Sequence, residues 1–107
     1  METLNINEIE DFFMMLDSQL SLYSSELREN LKLLQILIKT YNSELNKRLI
    51  LSRKIDLIEF FAGIERNILY WIYCFQRIKN PNIKAKIYFY IQKIRLVNEE
   101  NINKFIF

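Results

Sequence analysis

Apolar residues recur along the first half of the chain at alternating steps of three and four. Starting from Ile6 the seam runs through Ile9, Phe13, Leu16, Leu20, Tyr23, Leu27, Asn30, Leu34, Leu37 and Tyr41, with Asn30 its one amide-bearing member. Periodicity of this kind predicts a long helix that packs coiled-coil fashion against other helices. Asn5 and Glu8 have the spacing of a capping box and set its start. Acidic residues gather early (Glu8, Glu10, Asp11, Asp17) and basic residues late (Lys39, Lys47, Arg48, Arg53, Lys54), the order that complements a helix dipole. The pattern predicts one helix over about 5–50. The alternative is a break near 22–25, with Ser24 or Ser25 capping a new helix ahead of Glu26, which turns three helices into four. The unbroken helix is preferred because the seam crosses Tyr23 and Leu27 without a change of phase.

A second helix is expected over about 53–79, with Ser52 as its cap. Leu57, Ile58, Phe61, Ile64, Ile68, Trp71, Ile72, Phe75 and Ile78 give it a broad apolar face, opposite a narrow strip containing Arg53, Asp56, Glu59, Gly63, Arg66, Tyr70, Tyr73 and Arg77. So little wet surface places it at the centre of its bundle or against a second chain. Asn80, Pro81 and Asn82 reverse the chain, since proline lacks a donor and disfavours helix at the residue before it. A third helix then spans about 82–98 on Ile83, Ile87, Tyr90, Ile91, Ile94 and Val97. Residues 83–92 also alternate as a strand would, but no second alternating stretch exists to pair with them. The tail ends in Phe105, Ile106 and Phe107, which fold back on the core or dock elsewhere. The expected fold is an all-α bundle of three long helices, or four with the early break, in a single domain over 1–107.

Composition narrows the chemistry. One glycine and one proline in 107 residues leave little material for the tight turns of a sheet. Half the residues are hydrophobic and 26% are charged, the balance of a folding domain. Cys74 is the only cysteine and histidine is absent, which excludes an intramolecular disulfide, a Cys-based zinc site within one chain, and the side chain best suited to acid–base work near neutral pH. No cofactor, metal or small-molecule substrate is inferred, and enzymatic activity is not expected. Asp56, Glu59 and Glu65 are read as solubilising residues, because the Glu-x-x-His pairs of bundle metal sites cannot form without histidine. Glu2, Glu8, Glu10 and Asp11 occupy the place where a signal peptide needs positive charge, and the apolar stretch 68–75 is closed off by Arg66 and Arg77. The expectation is a cytoplasmic protein that does not enter a membrane.

Several residues carry a functional and a plainer reading. Asn30 could fix register or oligomeric state at a seam position, or sit at the edge of the core while Leu31 takes its place on the stripe Leu27, Leu31, Leu34, Ile38, Tyr41, Leu45. Gly63, inside a helix, suits either close approach by a partner or a tolerated surface glycine. Trp71, Ile72 and Phe75 are assigned to the core, Tyr70 and Tyr73 to a contact surface, and Cys74 to the core or its boundary. Residues 1–30 carry a net charge of −6 (seven acidic against Arg28), and residues 77–107 carry +5 (seven basic against Glu99 and Glu100). The acidic start is therefore expected beside the basic end, within or between chains. Lys84, Lys86, Lys93 and Arg95, near Lys79 and the rings of Tyr88, Phe89 and Tyr90, are candidate nucleic-acid contacts. On a helix, however, Lys84 and Arg95 lie nearly opposite Lys86 and Lys93, so a solvated basic helix is the simpler account.

These features point to a non-catalytic module for protein interaction or assembly, self-associating or bound to a protein partner. Its candidate interface residues are Asn30, Gly63, Tyr70, Tyr73, Phe105 and Phe107. The alternatives are nucleic-acid binding through the basic C-terminal segment, and a small inhibitor or immunity-type protein that blocks a larger partner.

Overall fold

The seam of the first half belongs to two helices. The computed structural model describes residues 6–18, 23–51 and 53–107. Among them α1 spans Ile6–Asp17, α2 Ser25–Leu51, α3 Lys54–Cys74 and α4 Pro81–Phe105, with a single 3-10 turn at Phe75–Arg77. The expected unbroken helix over 5–50 is thus corrected to the four-helix alternative. Serines decide the break: the Ser18 hydroxyl donates back to the Met15 carbonyl at 2.6 Å, and the Ser24 hydroxyl accepts from the Leu27 amide at 3.3 Å, a cap at the head of α2. The phase survives because Leu16 and Leu27 are 11 residues apart, about three helical turns, so both face the core with or without helix between them. Leu20, Asn5 and Ser52, to which the seam, the capping box and a cap were assigned, lie outside the described residues.

Along α2 the buried stripe is Leu27, Leu31, Leu34, Ile38, Tyr41 and Leu45, with Asn30 buried beside it. At 27 residues α2 is about 40 Å long and matches the 43 Å long axis of the molecule. Arg53, extended at φ −103° and ψ 114°, turns the chain into α3 and accepts the Asp56 and Leu57 amides on its carbonyl. α3 buries Leu57, Phe61, Ile64, Ile68, Trp71 and Cys74 and packs against both α2 and α4. The expected broad face is narrower in the fold, because Ile58 is exposed and Ile72 only half-buried.

Asn80 and Pro81 act as the sequence predicts. The Asn80 side chain accepts the Asn82 and Ile83 amides at 3.0 and 3.2 Å, and Pro81 takes the first helical position, where its missing donor is not needed. Residues 83–92 are helical. α4 does not stop near 98 but continues to Phe105, burying Asn98 and Asn101 on the same side as Ile87, Ile91 and Ile94. The tail folds back in part, for Phe105 and Ile106 pack against the core while Phe107 stays in solvent.

α1, 12 residues and about 18 Å long, covers less than half of the long axis. It inserts Ile9, Phe12, Phe13 and Leu16, and the rings of Phe12 and Phe13 lie 5.3 and 6.3 Å from that of Tyr90 on α4. Acidic groups of the early chain meet basic ones across the fold, Glu8 with Lys86 at 3.1 Å, Glu10 with Lys39 at 3.5 Å and Glu26 with Arg77 at 2.8 Å. All three are solvent-exposed pairs of small energetic value.

Two neighbours on α2 measure how the stripe divides inside from outside. Leu34→Ala, at a fully buried site, is expected to cost about 2–5 kcal/mol in denaturant unfolding. Leu33→Ala, at an exposed one, is expected to stay within about 0.5 kcal/mol of the parent.

Candidate functional site

The polar groups of the interior are largely engaged with one another. Tyr41, Asn98 and Asn101 are buried together: the Tyr41 hydroxyl donates to Asn98 Oδ1 at 2.8 Å, and Asn101 Nδ2 donates to the Tyr41 oxygen at 3.3 Å. Asn98 Nδ2 donates to the Phe61 carbonyl at 3.3 Å, so the cluster ties α2, α3 and α4. Burial pushes the Tyr41 phenol up to about 12, against a smaller opposing effect of the Asn101 bond. Asn30 accepts from Trp71 Nε1 at 3.1 Å and donates to the Glu26 carbonyl at 2.8 Å. It therefore lies inside the chain next to Leu31, with both ends of its amide used. The Cys74 thiol is buried and pushed up, first by desolvation and then by the Glu26 charge, which disfavours the nucleophilic thiolate. The Tyr90 hydroxyl is buried without a hydrogen-bond partner, packed among Phe12, Phe13 and Phe89. Among the described residues no group of three acidic or cysteine side chains could hold a metal ion, and no helix is long and apolar enough to cross a membrane.

The basic residues of α4 divide between its two sides. Lys84 donates to the Gln76 carbonyl at 3.2 Å and Arg95 pairs with Glu99 at 3.6 Å, whereas Lys86 meets Glu8 and stands 5.3 Å above the Phe89 ring. Lys93 lies 5.5 Å from the same ring. The four do not form one stripe, although the exposed Phe89 with Lys86 and Lys93 makes a small cationic–aromatic patch.

α3 presents a different surface. Ile55, Ile58, Leu69 and Tyr73 are 52%, 43%, 64% and 65% exposed. With the half-buried Ala62 and Ile72 and the exposed Glu65, they follow a second heptad register on the solvent side: Ile55, Ile58, Ala62, Glu65, Leu69, Ile72, with Tyr73 beside the last. This stripe runs about 27 Å along the helix. Glu59 and Arg66 flank it, exposed, and no ion pair takes up either of them or Glu65 among the described residues. Of the sequence candidates, Tyr73 belongs to the stripe, while Tyr70 marks its edge. The Tyr70 hydroxyl donates to Glu26 at 2.7 Å, and Arg77 donates to the same carboxylate at 2.8 Å. Those two bonds, with the Arg77 charge, hold the Glu26 carboxyl below its usual range, and the bond to Glu26 raises the Tyr70 phenol.

Gly63 is half-buried on α3, and a Cβ there would meet only the Arg66 guanidinium of the same helix, at 3.8 Å. Phe105 packs on the core and Phe107 projects at the far end of the bundle, away from the centre of the stripe. Ile55, Ile58 and Leu69 were not among the sequence candidates. Their signal was present as the same three-four spacing, displaced around the helix from the core face. No protein-family model, curated protein or solved structure matches the chain.

Two measurements test these interior and surface assignments. Gly63→Ala is expected to raise stability by up to about 1 kcal/mol in denaturant, since the added methyl makes ordinary contact and alanine favours helix. Tyr41 has a folded-state pKa above its ordinary value of 10.0, so its stabilising contribution is complete below pH 10 and is lost as pH rises towards 12. Tyr41→Phe is expected to unfold less steeply with pH across that window, followed by circular dichroism.

Proposed function

We propose that the protein is a non-catalytic helical interaction module that docks other protein chains through the solvent face of α3. The observation that carries this reading is the stripe Ile55, Ile58, Leu69 and Tyr73, large apolar side chains aligned in solvent on the helix that also forms the centre of the core. Exposed apolar residues scattered singly are ordinary, but a line of them at helical spacing offers what a partner helix buries. The core helps by fixing the face: Trp71, Phe61 and Ile64 anchor α3 from within, so the stripe is held in place before binding. Preorganisation of this kind lowers the entropic cost of association.

A lone buried thiol needs no oxidising surroundings, which suits the proposed cytoplasmic setting. Nucleic-acid binding is the weaker proposal, because Lys86 and Arg95 already pair with carboxylates and Lys84 is bonded to a carbonyl. Inhibition of a larger partner would use the same α3 face and is one form of the docking reading.

A photo-crosslinking residue at Tyr73, introduced into the protein in its own cells, is expected to yield discrete adducts that disappear when Ile58→Glu is added. A control at Ser43, exposed on α2, is expected to yield none. Equal labelling from the two positions, or adducts indifferent to Ile58→Glu, would overturn the reading.

A further inference from the structure

The geometry points to a second copy of this chain as the occupant of the α3 face, packed antiparallel about a twofold axis that passes between Gly63 and Ile64. This rests on the docking reading of that face and names its partner. The stripe is self-complementary. In an antiparallel helix pair each first position of a heptad faces a fourth position of the other helix. Here Ile55, Ala62 and Leu69 are first positions and Ile58, Glu65 and Ile72 are fourth positions. A single register then makes every layer: Ile55 on Ile72 of the second copy, Ile58 on Leu69, and Ala62 on Glu65, each repeated by symmetry. Apolar layers lie outermost, and the middle layers combine the small Ala62 with the stripe's one carboxylate. The two Glu65 carboxylates meet beside the axis, a like-charge contact that costs stability and favours the register in which each lies against the small Ala62.

The flanks agree with the same axis. Glu59 and Arg66 occupy equivalent edge positions one heptad apart, and the antiparallel register brings Glu59 of each copy beside Arg66 of the other. Neither has an ion-pair partner within its own chain among the described residues. A parallel pair would instead place Glu59 and Arg66 of one copy on the other side of the seam from those of its partner, so the Glu59–Arg66 pairing forms only in the antiparallel arrangement. The interface is isologous, as a twofold dimer requires.

Light scattering behind a sizing column, from micromolar to millimolar protein, is expected to show twice the chain mass of 13.1 kDa, falling towards the monomer on dilution. Leu69→Glu, at an exposed site, is expected to give a monomer with unchanged circular dichroism. Glu59→Arg and Arg66→Glu are each expected to weaken self-association by about tenfold, and the double variant to recover it. Mixing Ile58→Cys with Leu69→Cys chains under mild oxidation is expected to yield the mixed disulfide in preference to either self-disulfide, with Cys74 buried and silent. A dimer untouched by Leu69→Glu, a double variant that does not recover, or self-disulfides in place of mixed ones would overturn the proposal. A monomer at every concentration that still forms Ile58-dependent adducts from Tyr73 would overturn the second copy and leave the docking face standing. A monomer without such adducts would remove both.

Discussion

The hydrogen bond from the Tyr41 hydroxyl to Asn98 sets the constraint on which the rest of the bundle depends. A phenol and two carboxamides removed from water cost several kcal/mol unless their donors and acceptors are matched. Here α2 supplies Tyr41, α4 supplies Asn98 and Asn101, and α3 supplies the Phe61 carbonyl. A slip of any of these helices by one turn, about 5.4 Å, would leave buried polar atoms without partners. Apolar contacts alone tolerate such slips far better, since one aliphatic side chain can replace another. Asn30 with Trp71 is a second pin between α2 and α3, 11 residues from Tyr41 along α2.

Two pins fix how α3 is turned about its own axis, and that rotation determines its outer surface. With Trp71 turned towards Asn30 and the Phe61 carbonyl bound by Asn98, the residues on its other side turn outward, Leu69 at the margin of a groove that it lines with Arg95 and Glu99 of α4. Ile55, Ile58, Leu69 and Tyr73 stand there. Their exposure follows from satisfying the interior, and it converts a central helix into one with a second apolar stripe. The helix-rich, turn-poor composition contributes: with long elements and short connections, no loop among the described residues covers the outer face.

α1 shows what charge and packing each contribute. The early acidic residues do lie beside basic ones, Glu8 against Lys86 and Glu10 against Lys39, yet these pairs are exposed and screened. Burial of Ile9, Phe12, Phe13 and Leu16 against Tyr90 and its surroundings supplies the larger attraction. Electrostatics selects where the short helix lies; apolar area holds it there. Much of the charge asymmetry of the sequence is in this way absorbed within the fold.

Hydrophobic spacing by itself determined the all-helical class, the stripe from Leu27 to Leu45, and the burial of Trp71 and Phe75, and the chemistry of Asn80 and Pro81 determined the reversal there. Each of these depends on residues within a few turns of one another. It did not determine whether helix connects Leu16 to Leu27, because an 11-residue interval is in phase either way and the serine caps compete only once α1 can pack on α4. Nor did it show that α4 continues past Asn98 to Phe105, because the apolar spacing lapses there and Asn101 is buried only where Tyr41 arrives from another helix to bond it. Tyr73 could be read as a surface residue, whereas Ile58 was indistinguishable from its buried neighbours. Which isoleucine faces water depends on the rotation of α3, and that rotation is set by hydrogen bonds between residues tens of positions apart, beyond the reach of local periodicity.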